Sequence, residues 1–184
     1  RQGGACMDRN PVRIRSATPA DAEAIARVHV ASWQHAYQDL LPAEYLAGLP
    51  WEQRHEFWAR ELADPAARAT TLVAVGPDRT ILGFATVGPC RDGDRARADQ
   101  WELHGIYLHP KAWRHGVGRR LATAALDLVA QTAADVSLWV LGGNTGAMAF
   151  YDALGFAADG HDKRASIGGR PVRELRLIRA CPTL

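Results

Sequence analysis

The sequence predicts a mixed α/β domain, a single sheet layer with helices packed on it. Three observations carry that expectation. β-rich runs and helical stripes succeed one another in the order β-α-α-β-β-β-α-β-α-β-β. The 184 residues suit one domain. Finally, 47% hydrophobic against 23% charged residues can fill a core, so the chain does not read as disordered. There is no internal repeat, linker or low-complexity segment.

The same figures exclude several classes. A formal charge of +2 lacks the basic stripe of a dedicated nucleic-acid binder. No uncharged apolar run reaches the ~18 residues of a membrane span. Cys6, Cys90 and Cys181 are an odd, scattered set without a C-x-x-C pair. They argue against a disulfide framework or zinc ribbon and fit a reducing cytoplasm. Arg1 to Cys6 precede Met7 and lack the apolar stretch of a signal peptide. Residues 1–10 are therefore expected to be a disordered or vector-derived N-terminus, and 11–184 the domain.

Val12-Arg13-Ile14-Arg15 alternates and reads as the first strand. Thr18-Pro19-Ala20-Asp21 starts a helix, with Thr18 as cap, Pro19 in the first helical position and Asp21 closing a capping box. Ile25, Val28, His29, Ser32 and Ala36 form its stripe, with Trp33 and Tyr37 beside it, until Leu41-Pro42 breaks it. Residues 43–63 are helical, interrupted near Gly48-Leu49-Pro50 and stopped at Asp64-Pro65. Two strands, 70–75 and 80–87, flank the turn residues Gly76-Pro77-Asp78-Arg79, and Arg91 to Arg95 read as a loop. A third run, 102–108, ends at His109-Pro110. Val117, Leu121, Ala124, Ala125 and Leu128 mark a helix facing the sheet, and 136–141 is a strand. The next helix, 144–154, is ended by Gly155. A hairpin across Gly168-Gly169 completes the chain.

The segment Leu103 to Leu121 is the most informative. A strand enters a turn, then Gly116 and Gly118 stand one residue apart at the start of a helix. Glycine lets the backbone close round an anion, and a helix start offers unpaired N–H groups and a positive dipole end. Arg114, His115, Arg119 and Arg120 add donors. The pattern suits phosphate, although G-x-G also serves ordinary tight packing at a helix start. Neither a P-loop nor a Rossmann fingerprint is present, for want of Gly-Lys-Ser/Thr and of a third glycine.

Strand, His-Pro, R-x-G-x-G and a long helix together resemble the acetyl-CoA loop of the GNAT N-acetyltransferases. The resemblance extends over nearly all of Val12 to Ile178. It includes Asn144, Phe150, Tyr151, Leu154, Gly155 and Phe156, which look like the family's N-x(5)-F-Y-x-x-x-G-F segment. It implies a mostly antiparallel sheet of about six or seven strands with about four helices. One departure is Trp113, where the family usually has Gln or Arg three residues before the first glycine. By resemblance, acetyl-CoA is the acyl donor. Its contacts are expected at Ile106, Tyr107 and Leu108, at Arg114, His115, Gly116, Val117, Gly118 and Arg119, and at Asn144 and Ala147.

Acyl transfer to an amine needs a neutral nucleophile, a stabilised carbonyl oxygen and a proton for the departing thiolate. An alkylammonium is neutral about once in 2,500 molecules at pH 7, a handicap of roughly 4.6 kcal/mol, so a base is useful. Glu102 is the first candidate. Strand alternation would place Glu102, His104, Ile106 and Leu108 on one face. The resemblance adds that family members carry a general-base glutamate eight residues before the loop proline, the offset of Glu102 from Pro110. A solvent-facing carboxylate is the plain alternative. His104 either shares the task, relays through water or is a packed core histidine. Tyr151 matches the family's thiolate-protonating tyrosine; otherwise it packs its ring. Asn144 shares a helix face with Tyr151 and is a helix cap, a cofactor partner or both. Amides of Ile106 to Leu108 would bind the pantetheine arm and polarise the carbonyl if their strand splays from the next.

The implied acceptor is a primary amine on a small molecule or peptide. Trp33 and Tyr37 are its candidate binding residues, in a segment where Tyr45, Trp51, Phe57 and Trp58 also crowd. From Gln38 to Asp64 six acids oppose Arg54 and Arg60. That surplus would attract a cation, or is simply a solvated face. The seven histidines have no metal-ligand spacing. A homodimer, for instance through the last two strands, is neither required nor excluded. Two other readings are a non-catalytic acyl-CoA sensor and a generic nucleotide-phosphate binder.

Overall fold

The computed structural model describes residues 12–181. The expectation for residues 1–10, and Cys6 with it, lies outside the described residues. Strand β1 (Arg13–Ser16) leads through a 3-10 turn into α1 (Ala22–Ala36), α2 (Ala43–Ala47) and α3 (Trp51–Ala63). Then come β2 (Thr70–Val75), β3 (Ile81–Pro89), β4 (Gln100–Leu108), α4 (Val117–Val129), β5 (Asp135–Leu141) and α5 (Thr145–Ala153). The hairpin of β6 (Ala157–Ile167) and β7 (Arg170–Ala180) closes the chain. Seven strands form one sheet in the order β1-β2-β3-β4-β5-β7-β6, antiparallel except for β4–β5.

Local chemistry explains the ends. The Thr18 amide donates to the Asp21 carboxylate at 2.7 Å, fixing the start of α1. Gly155, at φ +85°, terminates α5: its amide donates to the Asp152 carbonyl and the Phe156 amide to that of Tyr151. A side chain at that left-handed φ would be strained.

Two cores sandwich the sheet. On one face Ile25, Val28 and Trp58 of α1 and α3 pack on Val73, Val75 and Phe84. On the other, α4 and α5 pack Leu121, Ala125 and Tyr151 on Ala85, Leu103, Val136 and Leu138. The inward stripe of α4 differs from the expected one. Ala122, Leu126 and Val129 join Val117, Leu121 and Ala125 in the core, whereas Leu128 is 52% exposed. Leu128 keeps the i+7 spacing from Leu121, but over the last turns the buried stripe rotates toward Ala122, Leu126 and Val129 and leaves it outside. A third, small cluster of Leu41, Leu46 and Leu49 receives Ile167 and Val172 from the hairpin tip.

Candidate active site

The central feature is a split in the sheet. β4 and β5 pair only at Gln100–Asp135, Trp101–Val136 and Glu102–Ser137, then separate. From Leu103 onward β4 retains β3 on one edge and loses its neighbour on the other. The His109 amide donates to Leu82 of β3 at 2.8 Å. Because N–H directions alternate along a strand, the amides of Leu108 and Ile106 point away from β3, into the gap. The conditional expectation of a splay is met.

A cleft of about 840 Å³ opens from this gap. Leu103 to Leu108 form one wall, Trp139, Val140 and α5 the other, and the start of α4 the floor. Gly116 precedes α4 at φ +76° and no side chain caps this helix. Its first N–H groups are thus left for a ligand, beside Arg114 and Arg119, which also line the cleft. A Cβ on Gly116 would meet nothing within 4 Å, so the glycine is required by backbone conformation rather than crowding. Trp113 has a structural role: its indole donates to the Leu108 carbonyl at 3.1 Å and its ring meets His35 edge-on. It ties the loop to the end of β4.

Strict alternation along β4 fails at one residue. Thr86 faces Gly105 and Val87 faces Leu103, so His104 is the extra residue of a β-bulge. A slip of one residue reverses side-chain directions beyond it. Ile106 and Leu108 consequently join Leu103 against the α4 core, while Tyr107 packs on the α1 side. The expected common face of Glu102, His104, Ile106 and Leu108 is thereby corrected. Glu102 and His104 do share a smaller hollow of about 150 Å³ with Trp33, Tyr37, Tyr107 and Trp139.

Glu102 is 2% exposed, not a solvated carboxylate. Arg91 occupies both its oxygens, Nη2 on Oε1 at 2.6 Å and the amide and Nε on Oε2 at 3.0 and 3.2 Å. Burial alone would raise its pKa, but the Arg91 hydrogen bonds and charge prevail and the net direction is down. In His104, Nε2 lies 3.2 Å from the Pro89 carbonyl, which can only accept. Nε2 therefore carries the proton and Nδ1 keeps its lone pair. Burial, then the Arg91 charge, lowers the His104 pKa and favours the neutral ring. Tyr151, buried in the cleft wall, has its phenol pushed up by burial and then by Tyr107, so it stays protonated. Asn144 Oδ1 accepts from the Ala147 amide at 3.2 Å, and both residues line the cleft.

The cleft and the smaller hollow share Tyr37, His104, Tyr107 and Trp139 as a common wall. Of the expected site residues, Glu102 and Trp33 border only the smaller hollow. The His115 side chain lines neither hollow, and that of Val117 is buried in the core, so each can contribute only its amide. The six acids between Asp39 and Asp64 are exposed and line neither hollow, in line with the solvated-face alternative. Trp58 is core and Phe57 is 46% exposed.

Sequence reasoning missed Arg91, Trp139 and Arg176. The guanidinium of Arg176 is almost completely buried and meets Asp159 at 2.8 Å, Asp94 at 2.9 Å and Asp92 at 3.3 Å. Asp92 also accepts from the Trp139 indole at 3.1 Å. Segment 90–99 is thus strapped to the sheet by Arg91–Glu102, Arg95–Asp135 and the Arg176 cluster, with Arg91 reaching the smaller hollow. Trp139 had a usable signal: with Ser137 it occupies the alternate positions to the apolar Val136, Leu138 and Val140. The Arg91 pairing had none, because it depends on how a loop folds back.

Among the described residues no group of three or more His, Cys, Asp or Glu side chains could hold a metal ion. None of their helices is long and apolar enough to cross a membrane.

Comparison with known proteins gives concordant matches. The family model described as "Acetyltransferase (GNAT) family" matches residues 30–156. Uncharacterized N-acetyltransferase YuaI of Bacillus subtilis is 30% identical over 145 residues, 77% of this chain and 78% of that protein. Probable N-acetyltransferase Rv2775 of Mycobacterium tuberculosis is 28% identical, covering 96% of this chain and 99% of its own. Among solved structures, PaiA N-acetyltransferase from Thermoplasma acidophilum in complex with coenzyme A superposes with a TM-score of 0.75 at 20% identity. That match covers 92% of this chain and 99% of the other.

Proposed function

The chain belongs to the acetyltransferase (GNAT) family, and from that premise we propose that it moves the acetyl group of acetyl-CoA directly to a primary amine on a small molecule or peptide. The observation that carries this reading is the sheet split. It sets free amides and an uncapped helix start along one cleft, which meets a second hollow at a four-residue wall. The donor assignment also draws on the PaiA structure, which contains coenzyme A.

The diphosphate lies on the amides that open α4, where the dipole and Arg114 and Arg119 favour negative charge. The Ile106 and Leu108 amides direct donors at the pantetheine arm and the thioester oxygen, stabilising the charge that develops there. The acceptor occupies the smaller hollow beside Trp33 and Tyr37. His104 takes its proton at Nδ1, directly or through water. Glu102 serves the base by holding Arg91 and the strap; with both oxygens engaged and a lowered pKa, it is the weaker proton acceptor. As the C–S bond breaks, Tyr151 supplies a proton to the thiolate. Between an ordinary phenol near pKa 10 and a thiol near 8.5 this transfer is uphill by roughly 2 kcal/mol, and the burial that raises the Tyr151 phenol adds to that cost, so the proton must move as the thiolate charge develops beside it.

Tyr151→Phe tests the assignment. It should lower kcat roughly 100-fold while leaving coenzyme A affinity nearly unchanged, as read by thiol release and by titration of the cofactor. Undiminished turnover would remove Tyr151 from the acid role.

A further inference from the structure

The chain is unusually poor in one of its two strong bases: of 22 Lys and Arg residues only Lys111 and Lys163 are lysines. Guanidinium groups stay protonated and do not act as acyl acceptors under ordinary conditions. The two lysine amines are therefore the side-chain groups most able to take an acetyl on nitrogen, and one of them borders the smaller hollow. Lys163 of β6 faces Glu174 of β7 in register, and both line that hollow with Glu102 and His104. Its Nζ lies 4.1 Å from the Trp139 ring centroid and 3.6 Å from the Glu174 carboxylate. Trp139 belongs to the wall shared with the larger cleft. An aromatic face and a carboxylate are what an amine-binding site offers its ligand.

We propose that Lys163 is an acceptor of this enzyme's own acetyl group, a self-acetylation site inside the acceptor hollow. The inference rests on the acetyl-transfer reading above. Lys163 is not held fast, since its side chain is 48% exposed and an ion pair of that kind contributes at most about 1 kcal/mol. Its ammonium loses a proton to His104 or water, as any acceptor must. Neutral Nζ then attacks the thioester carbonyl carbon, forming the N–C bond; the C–S bond breaks, and the thiolate takes its proton from Tyr151. No oxidant or reductant enters. The product has no charge at Nζ, so Trp139 loses its cation and Glu174 its partner.

The test is incubation of the full chain with acetyl-CoA and no acceptor, followed by digestion at acidic residues and quantification of acetyl occupancy by mass spectrometry. Lys111, exposed on the loop before α4, is the internal measure of uncatalysed acetylation. The proposal expects Lys163 to be modified at least ~10-fold faster than Lys111, with Tyr151→Phe removing the excess while still binding coenzyme A. Lys163→Arg should abolish the modification at that position. Equal, slow labelling of both lysines, or labelling of Lys163 indifferent to Tyr151→Phe, would overturn it. Thiol release from acetyl-CoA is measured in parallel with a diamine, an amino acid and a short peptide. Release without Lys163 labelling defeats this inference alone; absence of both release and labelling defeats the acetyl-transfer reading as well.

Discussion

His104 is the one extra residue in its strand. Alternation sets it on the side of Glu102, the bulge turns Ile106 and Leu108 away from that side, and the Pro89 carbonyl fixes the proton on Nε2. Its pKa is lowered by burial first and by Arg91 second, so the neutral, proton-accepting ring persists on acidification beyond the ordinary histidine value of about 6.5. The acidic limb of the kcat profile should accordingly lie below pH 6.5. His104→Ala should erase that limb and lower kcat roughly 100-fold; a limb at the ordinary histidine value would show the base to be unperturbed or elsewhere. Glu102 has a dependence of the same sign at lower pH. Its depressed pKa means that the Arg91 pair contributes fully above the unfolded carboxyl value of about 4.3. That contribution is lost as pH falls through the folded value.

The strap that carries Arg91 to the smaller hollow depends on a buried arginine more than on its own sequence. Arg176 of β7 has a side chain only 3% exposed and gathers Asp92 and Asp94 from the strap with Asp159 from β6. Arg176→Met would strand these carboxylates, two of them substantially buried. We expect a loss of roughly 2–3 kcal/mol in chemical denaturation, moderated by water reaching Asp94. A neutral result would mean that the strap is held without this cluster. Elements of this kind also set what was legible beforehand. The order of strands and helices, the start of α1, the end of α5 and the turn at Gly116 follow from periodicity, caps and glycines within a few residues. The bulge at His104, the outward Leu128 and the Arg91–Glu102 pair do not, because each is settled by contacts between segments distant in sequence. Trp33 and Tyr37 could be named as hollow-lining candidates only through the helix that carries them. Trp139, on the opposite wall, needed the sheet.

Across the whole molecule the fold converts a gap between two strands into a binding surface, so occupancy of that gap should be felt as stability. Coenzyme A at 100 times its Kd adds about 2.7 kcal/mol, which for a chain of this size raises Tm by roughly 5–10 °C. ATP, lacking the pantetheine arm that the Ile106 and Leu108 amides are placed to meet, should raise it less. Gly116→Val should remove most of the coenzyme A shift, because φ +76° is hostile to a branched side chain; an undiminished shift would move the diphosphate elsewhere. The four residues shared by the two hollows carry one last implication. On the acetyl-transfer reading each reactant has its own hollow, and neither must leave before the other arrives. Initial-rate plots for varied donor at several fixed acceptor levels should therefore give intersecting lines, and isotope exchange between labelled coenzyme A and acetyl-CoA should be negligible until the amine is added.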